Sequence, residues 1–226
     1  MKIGVVVFPG SNCDRDLIEV LSSITHTTVE ELWHKSSDLK GCTHIFLPGG
    51  FSFGDYLRSG ALAKISPIMQ ELKVFAQNGG KIIGICNGFQ ILCESNLLPG
   101  ALLRNENRKF VCKDVYLKAN SNAVKTQTLS HIPYKVPIAH GEGRYFADTT
   151  TLNNLKKNNQ ILFTYCSAEG SLTEDSNPNG SVDNIAGICN ETGNVIGMMP
   201  HPERCASDFL YNVDGKAIIK AFLKLS

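Results

Sequence analysis

The chain has 226 residues, of which 42% are hydrophobic and 19% are charged, and its formal net charge is +1. This length is enough for an α/β domain with a core of its own, so neither a disulfide nor a metal is needed to hold the fold together. Because the charges are balanced without a basic run, and no apolar run reaches the length of a membrane-spanning helix, we expect no nucleic-acid partner and no membrane segment.

Strand-like apolar runs alternate with helix-like segments along the chain. Strands are expected at 2–8, 29–33, 43–47, 81–85, 111–117, 135–139, 161–166, 185–189 and in the apolar run before His201. Helices are expected from a cap at Ser11 or Asn12 to residue 24, over 57–77 with an interruption near Pro67, over 88–95 and over 214–225. This alternation predicts an α/β fold with a mostly parallel open sheet and helices on both faces. The strand-rich middle, about 110–190, predicts a small antiparallel extension, and without an evident linker or repeat we expect a single domain over residues 1–226.

The start of the chain and the cysteines bear on the cellular setting. The apolar run that begins at Ile3 is short and is broken by Gly4, which favours a buried strand over an export signal. The eight cysteines contain no C-x-x-C pair, which argues against a zinc ribbon or a thioredoxin-like motif. We therefore expect reduced thiols and a cytoplasmic protein.

Cys86 follows an apolar strand and precedes a helix, in the pattern Gly84-x-Cys86-x-Gly88. This is the spacing of a nucleophile elbow, where a tight turn brings residues on either side of the nucleophile together and glycine avoids a Cβ clash. The positive end of the following helix favours a thiolate, and the N–H of Asn87 is available to stabilise an oxyanion. A buried structural cysteine in a tight turn fits the same pattern.

A second candidate group follows the apolar run 195–199, in His201-Pro202-Glu203. A nucleophilic thiol needs a proton shuttle and a group that orients it. His201 is placed at the carboxyl edge of the sheet, and Glu203 can fold back to hold one imidazole nitrogen. A surface turn is the competing interpretation. Cys205 lies four residues after His201, but no further ligands accompany it, so we expect no metal site.

Two further loops follow expected strands, where open α/β sheets bind their ligands. The glycine loop, residues 48–55, places Gly50 where a backbone N–H can approach an oxyanion, although a simple glycine turn has the same composition. It lacks the spacings of a nucleotide phosphate loop. The other loop, around 137–145, contains His140, a competing candidate base, together with Glu142 and Arg144, which can meet a zwitterionic substrate.

The combination resembles the class I, triad-type glutamine amidotransferases, which have a flavodoxin-like sheet. The cysteine elbow and His201-Pro202-Glu203 are typical of that family. The stretches 49–58 and 140–145 resemble in particular the members that serve purine synthesis. The resemblance extends over nearly the whole chain, with no departure at a catalytic position.

The resemblance implies a role for each site residue. Cys86 is the nucleophile, and His201 and Glu203 complete the catalytic triad. The N–H groups of Gly50 and Asn87 form the oxyanion site. The substrate-binding residues are Gln90 and the segment containing His140, Gly141 and Glu142.

The resemblance also implies partners. Ammonia released from glutamine passes to a large synthetase subunit, which uses ATP and Mg²⁺ to convert formylglycinamide ribonucleotide to its amidine. A small third subunit bridges such complexes. The chain itself needs no cofactor.

Three alternatives remain open on the residues alone. The same glutaminase chemistry can serve another acceptor, since the triad does not discriminate between acceptors. A cysteine hydrolase or stress-response protein can use the same sheet, although His201-Pro202-Glu203 argues against it. A non-catalytic interaction module has no physical need for an intact triad.

Overall fold

The structure, a computed structural model, describes residues 1–130 and 132–225. The chain divides into a first unit, Met1–Leu98 with Asn194–Gly197, and a second unit, Pro99–Gly193 with Met198–Ser226. The strands are β1 (Ile3–Val7), β2 (Val29–Trp33), β3 (His44–Leu47), β4 (Lys81–Ile85), β5 (Ala101–Leu103), β6 (Val111–Ala119), β7 (Tyr134–His140), β8 (Arg144–Phe146), β9 (Ile161–Cys166), β10 (Ile185–Cys189) and β11 (Val195–Met198). The helices are α1 (Asp14–Thr25), α2 (Pro67–Gln77), α3 (Asn87–Glu94), α4 (Thr149–Lys157) and α5 (Asp214–Leu223).

The first unit contains a sheet in the order β2-β1-β3-β4-β11. The pairings β1–β2, β1–β3 and β3–β4 are all parallel. Strand β3 is buried along its whole length, as expected for a strand covered on both sides. Helix α1 buries Leu17, Val20, Leu21 and Ile24, the spacing of one helical face. This unit is the mostly parallel α/β sheet that the sequence predicts.

The second unit contains strands in the order β10-β9-β6-β7. Each of these neighbours pairs in the antiparallel direction. Strands β5 and β8 form a separate antiparallel pair. The expected antiparallel extension is therefore confirmed.

Three local differences from the sequence predictions have clear physical reasons. The segment 57–77 yields a short 3-10 turn at Ala63–Ile65 and then α2, which begins at Pro67 because proline fits the first position of a helix. Helix α1 begins after Cys13, and Ser11 does not cap it; the Ser11 hydroxyl donates to the Phe8 carbonyl at 2.8 Å. The sequence does not predict helix α4, because its segment is polar and buries one residue, Leu155, and so shows no apolar stripe.

Within the described ranges, 1–130 and 132–225, no helix combines the length and apolar character needed to cross a bilayer.

Candidate active site

Cys86 lies in a strained turn between β4 and α3. Its backbone has φ +49° and ψ −105°, a region that residues with a side chain rarely adopt. The flanking glycines are sterically required. A Cβ on Gly88 would lie 2.1 Å from the Leu47 carbonyl oxygen, and one on Gly84 would lie 2.6 Å from the Gly88 backbone. The turn therefore brings β3, β4 and α3 close together, as expected for a nucleophile elbow.

Helix α3 begins immediately after Cys86. The Phe89 and Gln90 N–H groups both donate to the Cys86 carbonyl oxygen, at 3.0 and 3.1 Å. The first N–H groups of a helix have no acceptor within the helix itself, and they lie at its positive end. The backbone N–H of Asn87 is one of these groups, so it is suited to stabilise negative charge on a substrate oxygen.

The glycine loop, also in the first unit, is shaped by backbone contacts. Gly50 has φ +127°, and a Cβ there would lie 2.6 Å from the Asn12 backbone nitrogen. The next residue, Phe51, donates its N–H to the Gly10 carbonyl at 2.8 Å. Phe53 donates to the Pro9 carbonyl at 2.7 Å. A side chain at position 50 would therefore push this loop away from the segment that follows β1.

The Asn87 side chain connects the glycine loop to the elbow. It is completely buried. Its Oδ1 accepts from the Ser52 backbone N–H at 3.1 Å and from the Ser52 hydroxyl. Its Nδ2 donates to Gln90 Oε1 at 2.8 Å and, more weakly, to Asp55 Oδ1 at 3.4 Å. One amide thus connects the glycine loop, through Ser52 and Asp55, to Gln90 of α3.

His201 and Glu203 form a buried pair in the second unit. The His201 Nδ1 lies 2.6 Å from Glu203 Oε1, and the two side chains are 2% and 1% exposed. Pro202 starts a 3-10 turn over Pro202–Cys205, which folds Glu203 back toward the ring. The His201 N–H donates to the Pro137 carbonyl of β7 at 2.8 Å. The contact between Nδ1 and a carboxylate fixes the ring and leaves Nε2 as the atom for proton transfer.

Cys205 lies in the same turn. Its thiol is buried and contacts the carbonyls of His201 and Pro202, at 3.9 and 3.7 Å. Burial raises the pKa of Cys205 to about 12. An unionised, packed thiol is a structural residue of the turn. Gly215 of α5 packs against this turn as well, because a Cβ there would lie 1.9 Å from the Pro202 carbonyl oxygen.

His140 is held by two asparagines and is not oriented by a carboxylate. Its Nδ1 lies 3.1 Å from Asn105 Oδ1, and its Nε2 lies 3.5 Å from Asn179 Nδ2. Asn105 Nδ2 donates to the His140 and Lys109 carbonyls, both at 2.9 Å, so Oδ1 is the acceptor and His140 Nδ1 carries the proton. Burial, followed by the charge of His201, lowers the pKa of His140 to about 4. His140 is therefore a neutral structural imidazole, and the competing-base interpretation is not supported.

Asn105 and Asn179 also fix the backbone around Gly141. The Asn105 N–H donates to the Gly141 carbonyl at 2.9 Å, and its Oδ1 accepts from the Gly143 N–H at 3.0 Å. Asn179 Nδ2 donates to the Gly143 carbonyl at 2.9 Å. Glu142 is partly exposed and lies 3.7 Å from the Arg104 guanidinium.

The candidate residues thus fall into two groups. The first unit holds Cys86, Gly50, Asn87 and Gln90, and the second unit holds His201, Glu203, His140, Gly141 and Glu142. Sequence reasoning missed Ser52, Asn105 and Asn179 as supporting residues. Ser52 lies within the glycine loop, but its role depends on its contact with Asn87, 35 residues away. Asn105 and Asn179 lie outside the motifs discussed above, so no sequence signal singled them out.

The sequence and the structure both match known glutamine amidotransferases. Residues 1–220 match the CobB/CobQ-like glutamine amidotransferase domain family. Two relatives are 52% and 51% identical to this chain over 225 residues. They are the phosphoribosylformylglycinamidine synthase subunits PurQ from Koribacter versatilis (strain Ellin345) and from Moorella thermoacetica (strain ATCC 39073 / JCM 9320), respectively. The matched region covers 99% of this chain in both cases, and 97% and 95% of the two relatives.

A solved structure of PurLQS from Thermotoga maritima contains a chain with the same fold, at a TM-score of 0.83 and 40% identity. The match covers 99% of this chain and 97% of that chain. A glutamine amidotransferase from Thermotoga maritima shares the fold at a TM-score of 0.63 and 13% identity. These similarities confirm the family resemblance seen in the sequence. The chain belongs to the CobB/CobQ-like glutamine amidotransferase family and, within it, to the phosphoribosylformylglycinamidine synthase subunits PurQ.

Proposed function

We propose that this chain is the glutaminase subunit of a phosphoribosylformylglycinamidine synthase, and that residues 1–226 act as one glutaminase domain. Family membership makes the chain a glutamine amidotransferase. The single observation that best supports the site assignment is the conformation of Cys86, a buried thiol at φ +49° with a helix N-terminus directly after it. Strain of this kind persists only where the surroundings enforce it, and it clusters at reactive residues.

In the proposed reaction, His201 takes the proton of the Cys86 thiol, and the resulting thiolate attacks the side-chain amide carbon of glutamine. The N–H groups of Gly50 and Asn87 stabilise the resulting oxyanion. His201, oriented by Glu203, donates a proton to the amide nitrogen, so ammonia leaves and a glutamyl thioester remains. His201 then accepts a proton from water, which attacks the thioester and releases glutamate. His201 returns this proton to the sulfur and restores the thiol. The balance is glutamine plus water to glutamate plus ammonia.

Glutamine binding is assigned to Gln90 and to the backbone of residues 140–142. The clamp that Asn105 and Asn179 place on this backbone supports the second assignment, because a rigid loop presents N–H and carbonyl groups in fixed directions. For Gln90, the contact of its Oε1 with Asn87 supports a fixed side-chain orientation beside the elbow.

The acceptor for the ammonia lies in a partner. We propose a large synthetase subunit that uses ATP and Mg²⁺ to convert formylglycinamide ribonucleotide to its amidine in purine synthesis, with a small bridging subunit. The PurLQS assembly of the similar Thermotoga maritima chain supports a multi-subunit complex. We propose that this chain carries no cofactor of its own, binds no nucleic acid, and works in the cytoplasm, which its eight thiols support.

Reconstitution with the synthetase and small subunits, formylglycinamide ribonucleotide and ATP-Mg²⁺ tests the proposal. Amidine formation is measured with glutamine and, separately, with ammonia. The wild-type chain is expected to allow amidine formation from glutamine. Cys86→Ala is expected to lower the rate of this glutamine-dependent reaction by at least about 10³-fold, while ammonia-dependent synthesis continues.

Cys112→Ser is the matched control, because Cys112 is an exposed thiol. It is expected to retain full glutamine-dependent activity. Glutaminase activity retained in Cys86→Ala overturns the site assignment. The assigned acceptor is wrong if ammonia supports amidine formation but glutamine with the wild-type chain does not.

A further inference from the structure

We propose that the side chain of Asn87 is a positioning residue that, together with Ser52, holds the glycine loop against the nucleophile elbow. In this role it keeps the Gly50 N–H and its own backbone N–H at one fixed separation, so that both can serve the same oxyanion. The inference rests on the proposed function, because it concerns the two N–H groups assigned there. It adds a task for the Asn87 side chain and assigns a role to Ser52, which has no place in the chemical steps above.

The hydrogen bonds of Asn87 use all the capacity of its amide. Oδ1 accepts two hydrogen bonds from Ser52, one from the backbone and one from the hydroxyl, and Nδ2 donates to Gln90 and Asp55. Asn87 has no exposed surface and Ser52 is 2% exposed. A buried amide with every donor and acceptor paired has one orientation, because any other would leave a polar atom without a partner.

The glycine loop needs such a fixed point. Phe53, Gly54 and Asp55 have φ values of +56°, +67° and +54°, and consecutive residues in this region cost conformational energy for the two that carry side chains. On one side, the loop is bound to the segment after β1, through the Phe51 N–H and the Gly10 carbonyl. The Asn87 side chain binds it at the next residue, Ser52. The Gly50 N–H belongs to the preceding peptide, whose Gly49 carbonyl accepts from the Cys13 N–H at 3.3 Å, so this donor is fixed within two residues of both attachments.

Asn87 is the residue after the nucleophile, so its backbone moves with the elbow. A single residue thus supplies one oxyanion donor and, through its side chain, anchors the loop that supplies the other. Oxyanion donors stabilise the transition state only when they are aimed at the developing charge, and loss of one lowers kcat by about 10²–10³-fold. Misplacing one donor should therefore lower kcat and leave the KM for glutamine nearly unchanged.

The experiment compares Ser52→Ala, Asn87→Ala and the double variant in the reconstituted complex. Ser52→Ala is expected to lower glutamine-dependent kcat by about tenfold or more, with KM changed by less than about twofold. Asn87→Ala is expected to lower kcat at least as much and also to raise KM, because it removes the hydrogen bond that orients Gln90. The double variant is expected to be no slower than the slower single variant, because both changes break the same link. Ammonia-dependent synthesis is expected to stay at the wild-type rate in all three.

A second readout separates the loop from the elbow. Ser52→Ala leaves every residue of the elbow unchanged, so iodoacetamide should alkylate Cys86 at the wild-type rate, measured on the Cys86 peptide by mass spectrometry. Ser95→Ala is the matched control, since Ser95 is a buried serine at the other end of α3 whose hydroxyl has no partner in the described part of the chain. It should leave kcat unchanged.

Two outcomes overturn the inference. One is wild-type kcat in both single variants, and the other is a double variant whose loss is the product of the two single losses. The proposed function fails in a different way, through glutaminase activity that persists in Cys86→Ala. If the wild-type complex uses glutamine, and the Ser52→Ala and Asn87→Ala complexes use it equally well, the inference is wrong and the proposed function still stands.

Discussion

The Nδ1 atom of His201 lies 2.6 Å from Oε1 of Glu203, inside a turn where both side chains are almost completely buried. The two residues are separated only by Pro202, and the turn that begins there directs the carboxylate to the ring. A buried carboxylate is costly unless it is paired. The pair therefore has a stability role as well as the proposed catalytic one, and substitutions at Glu203 test both.

Glu203→Gln should separate these two roles. Glutamine keeps the volume and can still accept a hydrogen bond from His201 Nδ1, but it removes the charge that stabilises a protonated imidazole. We expect glutamine-dependent kcat to fall by about 10²–10⁴-fold, with a thermal unfolding midpoint close to that of the wild type. Steady-state kinetics in the reconstituted complex and a thermal melt give the two values. Glu30→Gln, at a partly exposed ion pair with Lys40, is the control for loss of a glutamate. Wild-type kcat in Glu203→Gln would contradict the assigned role.

His140 should make folding stability depend on pH. Burial and the charge of His201 lower its pKa from 6.5 to about 4, so between these values the unfolded chain binds a proton that the folded chain does not. Stability is therefore fully present above about pH 6.5 and is lost as the pH falls to about 4, by about 3 kcal/mol from this residue. Urea unfolding of the wild type and of His140→Gln across this range measures the difference. The variant should lose less stability on acidification; equal losses would show that other groups are responsible.

Gly88→Ala should disrupt the elbow through sterics alone. The added Cβ would lie 2.1 Å from the Leu47 carbonyl oxygen, so α3 must move away from β3. We expect a loss of about 3 kcal/mol in the free energy of unfolding, together with loss of glutaminase activity. Gly141→Ala provides the comparison for stability, because its Cβ would meet only Phe110, at 3.8 Å. That variant should change stability by no more than about 0.5 kcal/mol. Similar stabilities for the two variants would contradict the steric argument.

Asn105→Ala should affect glutamine binding more than catalysis. It removes the side-chain hydrogen bonds to Gly143 and to both the ring and the carbonyl of His140, so the backbone of residues 140–143 becomes less ordered. We expect the KM for glutamine to rise by about tenfold, with a smaller change in kcat. Asn107→Ala is the control, since the Asn107 side chain contacts the exposed Lys109 N–H. An unchanged KM in Asn105→Ala would argue against a binding role for this backbone.

The strand β4 and the elbow after it could be predicted from sequence because their causes are local. Strand β4 occupies the predicted residues, Lys81–Ile85, since an apolar run between a glycine pair and a turn has few other conformations. The spacing of Gly84, Cys86 and Gly88 indicates a tight turn because only glycine fits at either side. The helix α4 and the strands β5 and β8 were not predicted, because their short or polar segments depend on packing rather than on a periodic pattern.

The roles of the two histidines could not be decided from the sequence alone. His140 and His201 both follow strands predicted from the sequence, and the residue types near them leave either one as a candidate base. Their environments separate them: Glu203, two residues away, orients His201, whereas Asn105 and Asn179, 35 and 39 residues away, contact the ring of His140. The Ser52 partner of Asn87 likewise lies 35 residues from it. The sequence by itself determined the tight turn at Cys86 and most of the strands, because these follow from local sterics and hydrophobic pattern, and its motifs indicated the family through their resemblance to known members. Only the tertiary structure decided which polar side chains share a hydrogen bond, because strand and helix packing brings those residues together from distant parts of the chain.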